Sequence, residues 1–236
     1  MKIILLFCIC SISFAQEITG KELLEKAIQY HDPDNNWSRF NGTLLVTMET
    51  PNSSHRYSRI QINLPEAYFN VKASKDSKTT EYTLDKQKCS IALNGKSNLT
   101  DAELKTNNLS CERANLYKNY YTYLYGLPMK LKDPGTLINP KVEKKTFKGQ
   151  DYLVLNVSYE DNIGTDIWYF YFNPETYALE VYQFYKTDDD GSLKKDSGEY
   201  ILLSDVEIIN NIKIPKIRKW YYNKDNGYLG TDILKQ

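Results

Sequence analysis

His31, Asp32 and Asp34 place an imidazole beside two carboxylates. Such a cluster can move protons or hold a cation, so a hydrolase centred on this loop is one reading. No second histidine and no nucleophile is tied to the cluster, and the chain has no G-x-S-x-G element. Asp32, Pro33 and Asn35 are also the residue types that build a tight turn and satisfy its backbone. The turn reading is preferred, and no catalytic residue is assigned. Only two histidines occur, His31 and His55, which excludes a multi-histidine metal site. Asp188-Asp189-Asp190-Gly191 lacks the alternating ligands and distal Glu of a calcium loop and reads as a solvated hairpin turn. No metal or cofactor is expected, and a non-enzymatic role is preferred.

The second chemical feature is aromatic. The chain of 236 residues holds 20 Tyr against 8 Phe and 3 Trp. Thirty basic residues balance thirty acidic ones, which argues against a nucleic-acid partner. The aromatic content argues against disorder. The stretch Asp166–Phe172 reads D-I-W-Y-F-Y-F. In a strand, Ile167, Tyr169 and Tyr171 point one way, and Trp168, Phe170 and Phe172 the other. Both faces therefore need cover from a helix, a second layer or a ligand. The following strand, with Val181 and Tyr185 opposite Tyr182 and Phe184, repeats the pattern. Tyr pairs a packing ring with a hydroxyl that seeks a partner. The candidate cleft residues are Trp37, Tyr121, Trp168, Tyr169, Tyr171, Tyr182 and Trp220.

These side chains must be positioned by the elements around them. Thr19 can cap a helix over 21–30, with Leu23, Leu24, Ala27 and Ile28 on one stripe, and Pro33 stops it. Strands are expected at 43–49, 56–64, 68–74, 79–85 and 88–93, alternating as half-buried antiparallel strands do. A second helical region starts near Asp101. Its stronger half, 111–125, has Ser110 as cap, Gly126 as stop, and Leu116, Tyr120, Tyr121 and Leu124 on one face. After Pro140 strands are expected at 142–147, 151–159, 166–173, 178–186, 199–209, 212–223 and 228–234. Basic residues between Lys213 and Lys219 alternate with Ile212, Ile214 and Ile217, as on an exposed sheet face. Consecutive strands separated by turns mean an antiparallel meander rather than βαβ units. The class is α+β: a strongly curved sheet with helices laid on one side and a cleft beneath them.

Residues 1–15 are read as a signal peptide. Met1-Lys2 is a positive start, 3–14 is an apolar run too short to span a bilayer, and Ser13 and Ala15 fit cleavage before Gln16. Residues 16–236 then form one domain, released to the periplasm or the exterior, with no later stretch long enough for a membrane span. Cys8 and Cys10 leave with the signal. The remaining pair, Cys89 and Cys111, suggests a disulfide in an exported protein, worth about 3 kcal/mol. Six Asn-x-Ser/Thr triplets, such as those at Asn41, Asn98 and Asn156, carry no functional weight in an Asn-rich chain.

Four segments carry a family resemblance: Y-H-D-P-D-N-N-W (30–37), Y-L-Y-G-L-P-M-K-L-K-D-P-G-T (123–136), D-I-W-Y-F-Y-F-N-P-E-T-Y-A-L-E-V-Y (166–182) and W-Y-Y-N-K-D-N-G-Y-L-G-T-D-I-L (220–234). The chain resembles exported proteins of unknown function from gram-negative Bacteroidota. That family is distantly similar to the LolA/LolB-type lipoprotein carriers. The resemblance implies an open, curved antiparallel half-barrel whose concave side holds helices and receives acyl chains. It implies no catalytic residue. The leading expectation is a binding protein for a lipid, acyl chain or other apolar ligand. The alternative is a module that binds glycan or another envelope protein.

Overall fold

The computed structural model describes residues 17–235. The expected signal segment, its cleavage point, and Cys8 and Cys10 lie outside the described residues.

Helix α1 (Gly20–His31) begins at a capping box. The Thr19 hydroxyl accepts from the Glu22 N–H, and the Glu22 carboxylate accepts from the Thr19 N–H, satisfying two orphan donors of the first turn. Leu23, Leu24 and Ala27 form its buried stripe. Five strands follow as a meander: β1 (Asn41–Glu49), β2 (Arg56–Asn63), β3 (Tyr68–Lys75), β4 (Lys78–Asp85) and β5 (Lys88–Leu93). Helices α2 (Asp101–Thr106) and α3 (Cys111–Tyr125) interrupt the strands. A second meander completes the chain: β6 (Thr136–Phe147), β7 (Gln150–Tyr159), β8 (Ile167–Phe172), β9 (Leu179–Tyr185), β10 (Glu199–Ile209), β11 (Ile212–Tyr222) and β12 (Tyr228–Lys235).

All twelve strands belong to one antiparallel sheet in the order β5-β4-β3-β2-β1-β12-β11-β10-β9-β8-β7-β6. The two meanders are joined by the pairing of β1 with β12, and β5 and β6 are left as the edges. The sheet is therefore an open half-barrel, not a closed barrel. The connection from edge to edge runs through α2 and α3, which forces α3 across the apolar face. The main core lies there, between sheet and helices, and includes Leu23, Phe40, Leu44, Ile60, Phe69, Tyr121, Tyr125, Phe170, Phe172, Tyr182 and Ile201. A smaller cluster of Tyr152, Val154, Tyr171 and Val181 covers the other face. Turn chemistry sets the register of the hairpins. Asn210 and Asn211 both have positive φ (52° and 61°), as the two-residue turn between β10 and β11 requires.

Cys89 and Cys111 are bonded, with Cα atoms 6.0 Å apart across 22 residues of sequence. The bridge ties edge strand β5 to the first residue of α3. Reduction, or the C89S/C111S double variant, is expected to lower the free energy of unfolding by about 3 kcal/mol. Urea titration with and without reductant measures it. A loss far below about 1 kcal/mol would mean that the bridge does not restrict the unfolded chain.

Three expectations about the elements are corrected. Strand β6 starts at Thr136, ahead of Pro140. Its register slips between Ile138 and Val142, and a bulge on an edge strand is where a proline fits. On α3 the buried face is Ala114, Tyr121, Leu124 and Tyr125, while Leu116 is 67% exposed. The buried stripe is displaced from the expected one, with the small Ala114 rather than Leu116 at its N-terminal end. Finally, β11 is not an exposed basic face throughout. Strict alternation from Ile212 and Ile214 carries Arg218 inward, where it is fully buried.

Candidate ligand cleft beside the long helix

The His31 cluster resolves into structural roles. His31 is the last residue of α1 and is 1% exposed. Its Nδ1–H donates to the Lys213 carbonyl at 2.6 Å, and its Nε2 accepts from the Leu179 N–H at 2.9 Å. Both nitrogens are used, in one neutral tautomer. Burial lowers its pKa to about 4, so the ring staples α1 to β11 and β9 without a free base. The Asp32 carboxylate accepts from the Asn36 and Trp37 N–H groups at 2.7 and 2.8 Å. It thereby satisfies the two N–H groups at the entry to the short 3-10 turn Trp37–Arg39. Asp34 is exposed. Among the described residues, no group of three or more His, Cys, Asp or Glu side chains is placed to hold a metal ion.

The seven aromatic residues expected to line a cleft separate into three places. Tyr121, Trp168, Tyr182 and Trp220 share the helix-covered face. The Tyr182 ring lies 6.2 Å from both Trp168 and Trp220. Trp37 faces the same interior but packs on Phe40, 5.0 Å away, and lines another cleft along α3 with Ile62 and Phe69. Tyr169 and Tyr171 point to the opposite face. There Tyr171 packs with Phe147 and Tyr152, and its hydroxyl donates to the Gln183 Oε1 at 2.7 Å. The period-2 alternation of β8 leaves no other outcome for these two, because Trp168 and Phe170 occupy the inner face.

Two adjoining clefts open beside α3. The larger, about 480 Å³, is walled by Tyr120, Tyr123, Tyr159, Ile163 and Trp168, with Lys130, Asp133 and Asp166. Trp168 stacks on Phe184 at 4.8 Å and meets Tyr123 edge-on at 5.6 Å. The Tyr123 and Tyr159 hydroxyls are hydrogen-bonded to each other. Burial pushes the Tyr159 phenol up to about 12 and the Tyr123 phenol well above its ordinary range, so both keep their protons. The smaller cleft, about 290 Å³, is lined by Met48, Tyr120, Glu199, Trp220, Leu229 and Asp232. Tyr120 belongs to both and divides them, its ring stacked on Trp220 at 6.4 Å.

Beneath the clefts runs a buried polar row. The strand register aligns Arg56 (β2), Met48 (β1), Asp232 (β12) and Arg218 (β11). The Arg218 Nη1 donates to the Pro215 carbonyl at 2.8 Å, its Nη2 donates to the Leu124 carbonyl at 3.4 Å, and the guanidinium lies 4.0 Å from the Tyr125 ring centroid. This one residue joins β11 to the last turn of α3. Arg56 donates to the Tyr121 hydroxyl at 3.2 Å, and the Trp220 Nε1–H donates to Asp232 Oδ2 at 3.2 Å. Asp232 Oδ1, Arg218 Nε, Arg56 Nε and the Tyr125 hydroxyl have no hydrogen-bond partner among the described residues. Buried polar atoms are usually paired, so this row is the polar anomaly of the interior. Arg218, Asp232, Tyr120 and Tyr123 are not among the candidate cleft residues of the sequence, although Tyr120 lies on the expected helix face. For the first two the signal in the sequence is strand parity.

The chain belongs to a family of unknown function, DUF6503, matched over residues 1–235. No curated protein matches it in sequence. Among solved structures it is similar to a LolA-superfamily protein of Nitrosomonas europaea, at a TM-score of 0.50 and 11% identity, with 93% of each chain covered. It is likewise similar to a DUF1329-family protein of Desulfovibrio piger, at a TM-score of 0.50 and 8% identity, covering 93% of this chain and 92% of that one. At these identities the likeness establishes the fold: an open LolA-like half-barrel. No helix among the described residues is long and apolar enough to cross a membrane.

Proposed function

We propose that the protein is an exported, non-enzymatic binding protein for a lipid, acyl chain or other apolar ligand. The ligand would lie along α3 in the two clefts on either side of Tyr120. The supporting observation is the aromatic wall of these clefts, built from Tyr120, Tyr123, Trp168 and Trp220 on the face where a LolA-like half-barrel meets its helices. Residues 1–15 would direct export and be removed before Gln16, leaving residues 16–236 as one domain in the periplasm or outside the cell. Apolar burial would drive binding at roughly 25 cal/mol per Å², before ordering costs.

Native mass spectrometry of the purified protein tests this directly. A bound apolar molecule, or saturable uptake of a long-chain alcohol, is the expected result. Failure of every acyl probe to bind would refute the reading. Tyr120 gives a sharper prediction. It is 36% exposed, so Tyr120→Ala should leave the fold intact while joining the clefts. Accommodating about two further methylenes, at about 0.8 kcal/mol each, should raise the affinity for a C16 alcohol about tenfold. A C8 alcohol should be unaffected. Equal effects on both lengths would mean that Tyr120 does not divide the site.

The outer face favours one second reading. Tyr169 and Tyr185 meet edge-on at 6.1 Å, and Lys145 lies over the Tyr169 ring at 4.7 Å. This partly exposed aromatic surface suits a glycan or an envelope protein. Glycan-array binding lost in the Y169A/Y185A variant, with alcohol uptake unchanged, would support it.

A further inference from the structure

The cleft that holds Trp37 has a charge balance that the other two lack. It encloses about 390 Å³ between α3 and the turns β2–β3 and β4–β5. Lys86, Lys118 and Lys130 line it, and no carboxylate does. Lys130 pairs with Asp133, whereas Lys86 and Lys118 make no ion pair among the described residues. Lys86 is exposed and Lys118 partly so, so both are accessible to a ligand. The neighbouring acidic residues of these turns, Glu66 and Asp85, are exposed and stand outside the lining. In the larger cleft, by contrast, Asp133 and Asp166 offset Lys130.

The base of the cleft holds Lys130 beside an aromatic ring. Gly126 closes α3, and a Cβ there would lie 2.3 Å from Trp37 Cζ2 and 2.6 Å from Lys130 Cγ. Without that carbon, the ring and the lysine stem both reach the helix end. The Lys130 N–H donates to the Gly126 carbonyl at 2.9 Å, which fixes the turn that carries the lysine. Leu64 and Tyr68, partly exposed, add apolar wall, and Asn63 and Asn119 add neutral amides. A carboxylate or phosphate would find charged donors here. An ammonium would meet like charge.

We infer that this cleft receives the anionic head of the ligand, a carboxylate or phosphate held by Lys86, Lys118 and Lys130. The cleft shares Asn119, Thr122 and Lys130 with the larger one. A tail lying there along α3 therefore brings its head past Thr122 to the lysines. The inference rests on the apolar-ligand reading above and adds the chemistry of the head.

Three probes of equal length separate the possibilities: decanoate, decanol and decylammonium, titrated by calorimetry in dilute solution at about pH 8, where both charged heads are ionised. Decanoate should bind at least about tenfold tighter than decanol, with decylammonium the weakest. Raising the salt from about 0.01 M to about 1 M should shrink that preference. The K86Q/K118Q variant removes two charges that no ion pair uses, so it should fold normally. It should bring decanoate down to the affinity of decanol and leave decanol unchanged. Decanol or decylammonium binding as tightly as decanoate would overturn the anionic head while leaving the apolar-ligand reading standing. A decanoate preference that survives in K86Q/K118Q would do the same. Acetate or inorganic phosphate binding as tightly as decanoate, with the same loss in the variant, would make this a site for free anions and overturn the amphiphile. Binding of none of the three decyl probes would end both readings.

Discussion

Arg218→Met is expected to lower the free energy of unfolding by about 3–5 kcal/mol, because it leaves buried carbonyls without their charged donor and the buried Asp232 carboxylate without one of its two nearby cations. The argument is local. Arg218 is 1% exposed and makes the hydrogen bonds to the Pro215 and Leu124 carbonyls. Methionine keeps the chain's bulk and loses both donors. It also leaves the Asp232 carboxylate buried with Arg56 as its remaining cation. Arg218 and Arg56 together oppose the burial that would otherwise raise the Asp232 pKa further. Urea unfolding of the single variants R218M and D232N and of the double variant measures the coupling. The double variant should lose less than the sum of the two, because the second substitution removes the charge that the first left uncompensated. Simple additivity would show that the two residues act independently. Because the Leu124 carbonyl belongs to the end of α3, hydrogen exchange in that last turn should accelerate in R218M before exchange in the sheet does.

Local signals in the sequence account for much of this architecture. The Thr19 and Ser110 caps, the period-2 strands and the Asn and Gly turns are each decided by residues close in sequence, so their positions are readable to within a residue or two. The half-barrel is legible in the family resemblance and in the doubly apolar strand 166–172, which demands cover on both sides. Other features depend on distant partners. Tyr169 and Tyr171 belonged to the same aromatic run as Trp168. Assigning faces needed only alternation, but choosing which face met the helices needed the placement of α3. Leu116 and Tyr121 both fit a helical stripe, and the sheet decided between them. The row Arg56–Asp232–Arg218 is set by three strand registers spanning the junction of the two meanders, and no local pattern marks it. His31 looked like chemistry because its partners, Lys213 and Leu179, are 182 and 148 residues away.

Those two partners make His31 the source of a pH-dependent stability. The folded chain holds its ring neutral, with burial lowering the pKa from 6.5 to about 4. Above pH 6.5 neither state binds a proton at this site, and the full stabilisation is present. Between pH 6.5 and about 4 the unfolded chain binds a proton that the folded chain refuses. Stability falls across this window, by about 1.4 kcal/mol per pH unit at the steepest and about 3 to 4 kcal/mol in all. Protonation would also turn Nε2 from acceptor into donor, facing the Leu179 N–H, so the contact becomes repulsive. Asp232 and Glu199 act with the opposite sign. Their folded pKa values are raised, so the stability they add at low pH is lost as pH rises through those values. Glu22 and Glu103, whose carboxyls are held low by hydrogen bonds from Thr19, and from Lys96 and Thr100, act with the same sign as His31, so the decisive quantity is a difference. His31→Gln retains a donor and an acceptor and cannot titrate. Its unfolding free energy, measured from pH 7 to pH 4, should fall less steeply than that of the native chain by about 3 kcal/mol over the window. Parallel pH profiles for the two proteins would mean that the imidazole is not held neutral in the fold, and would reopen His31 as a group free to exchange protons.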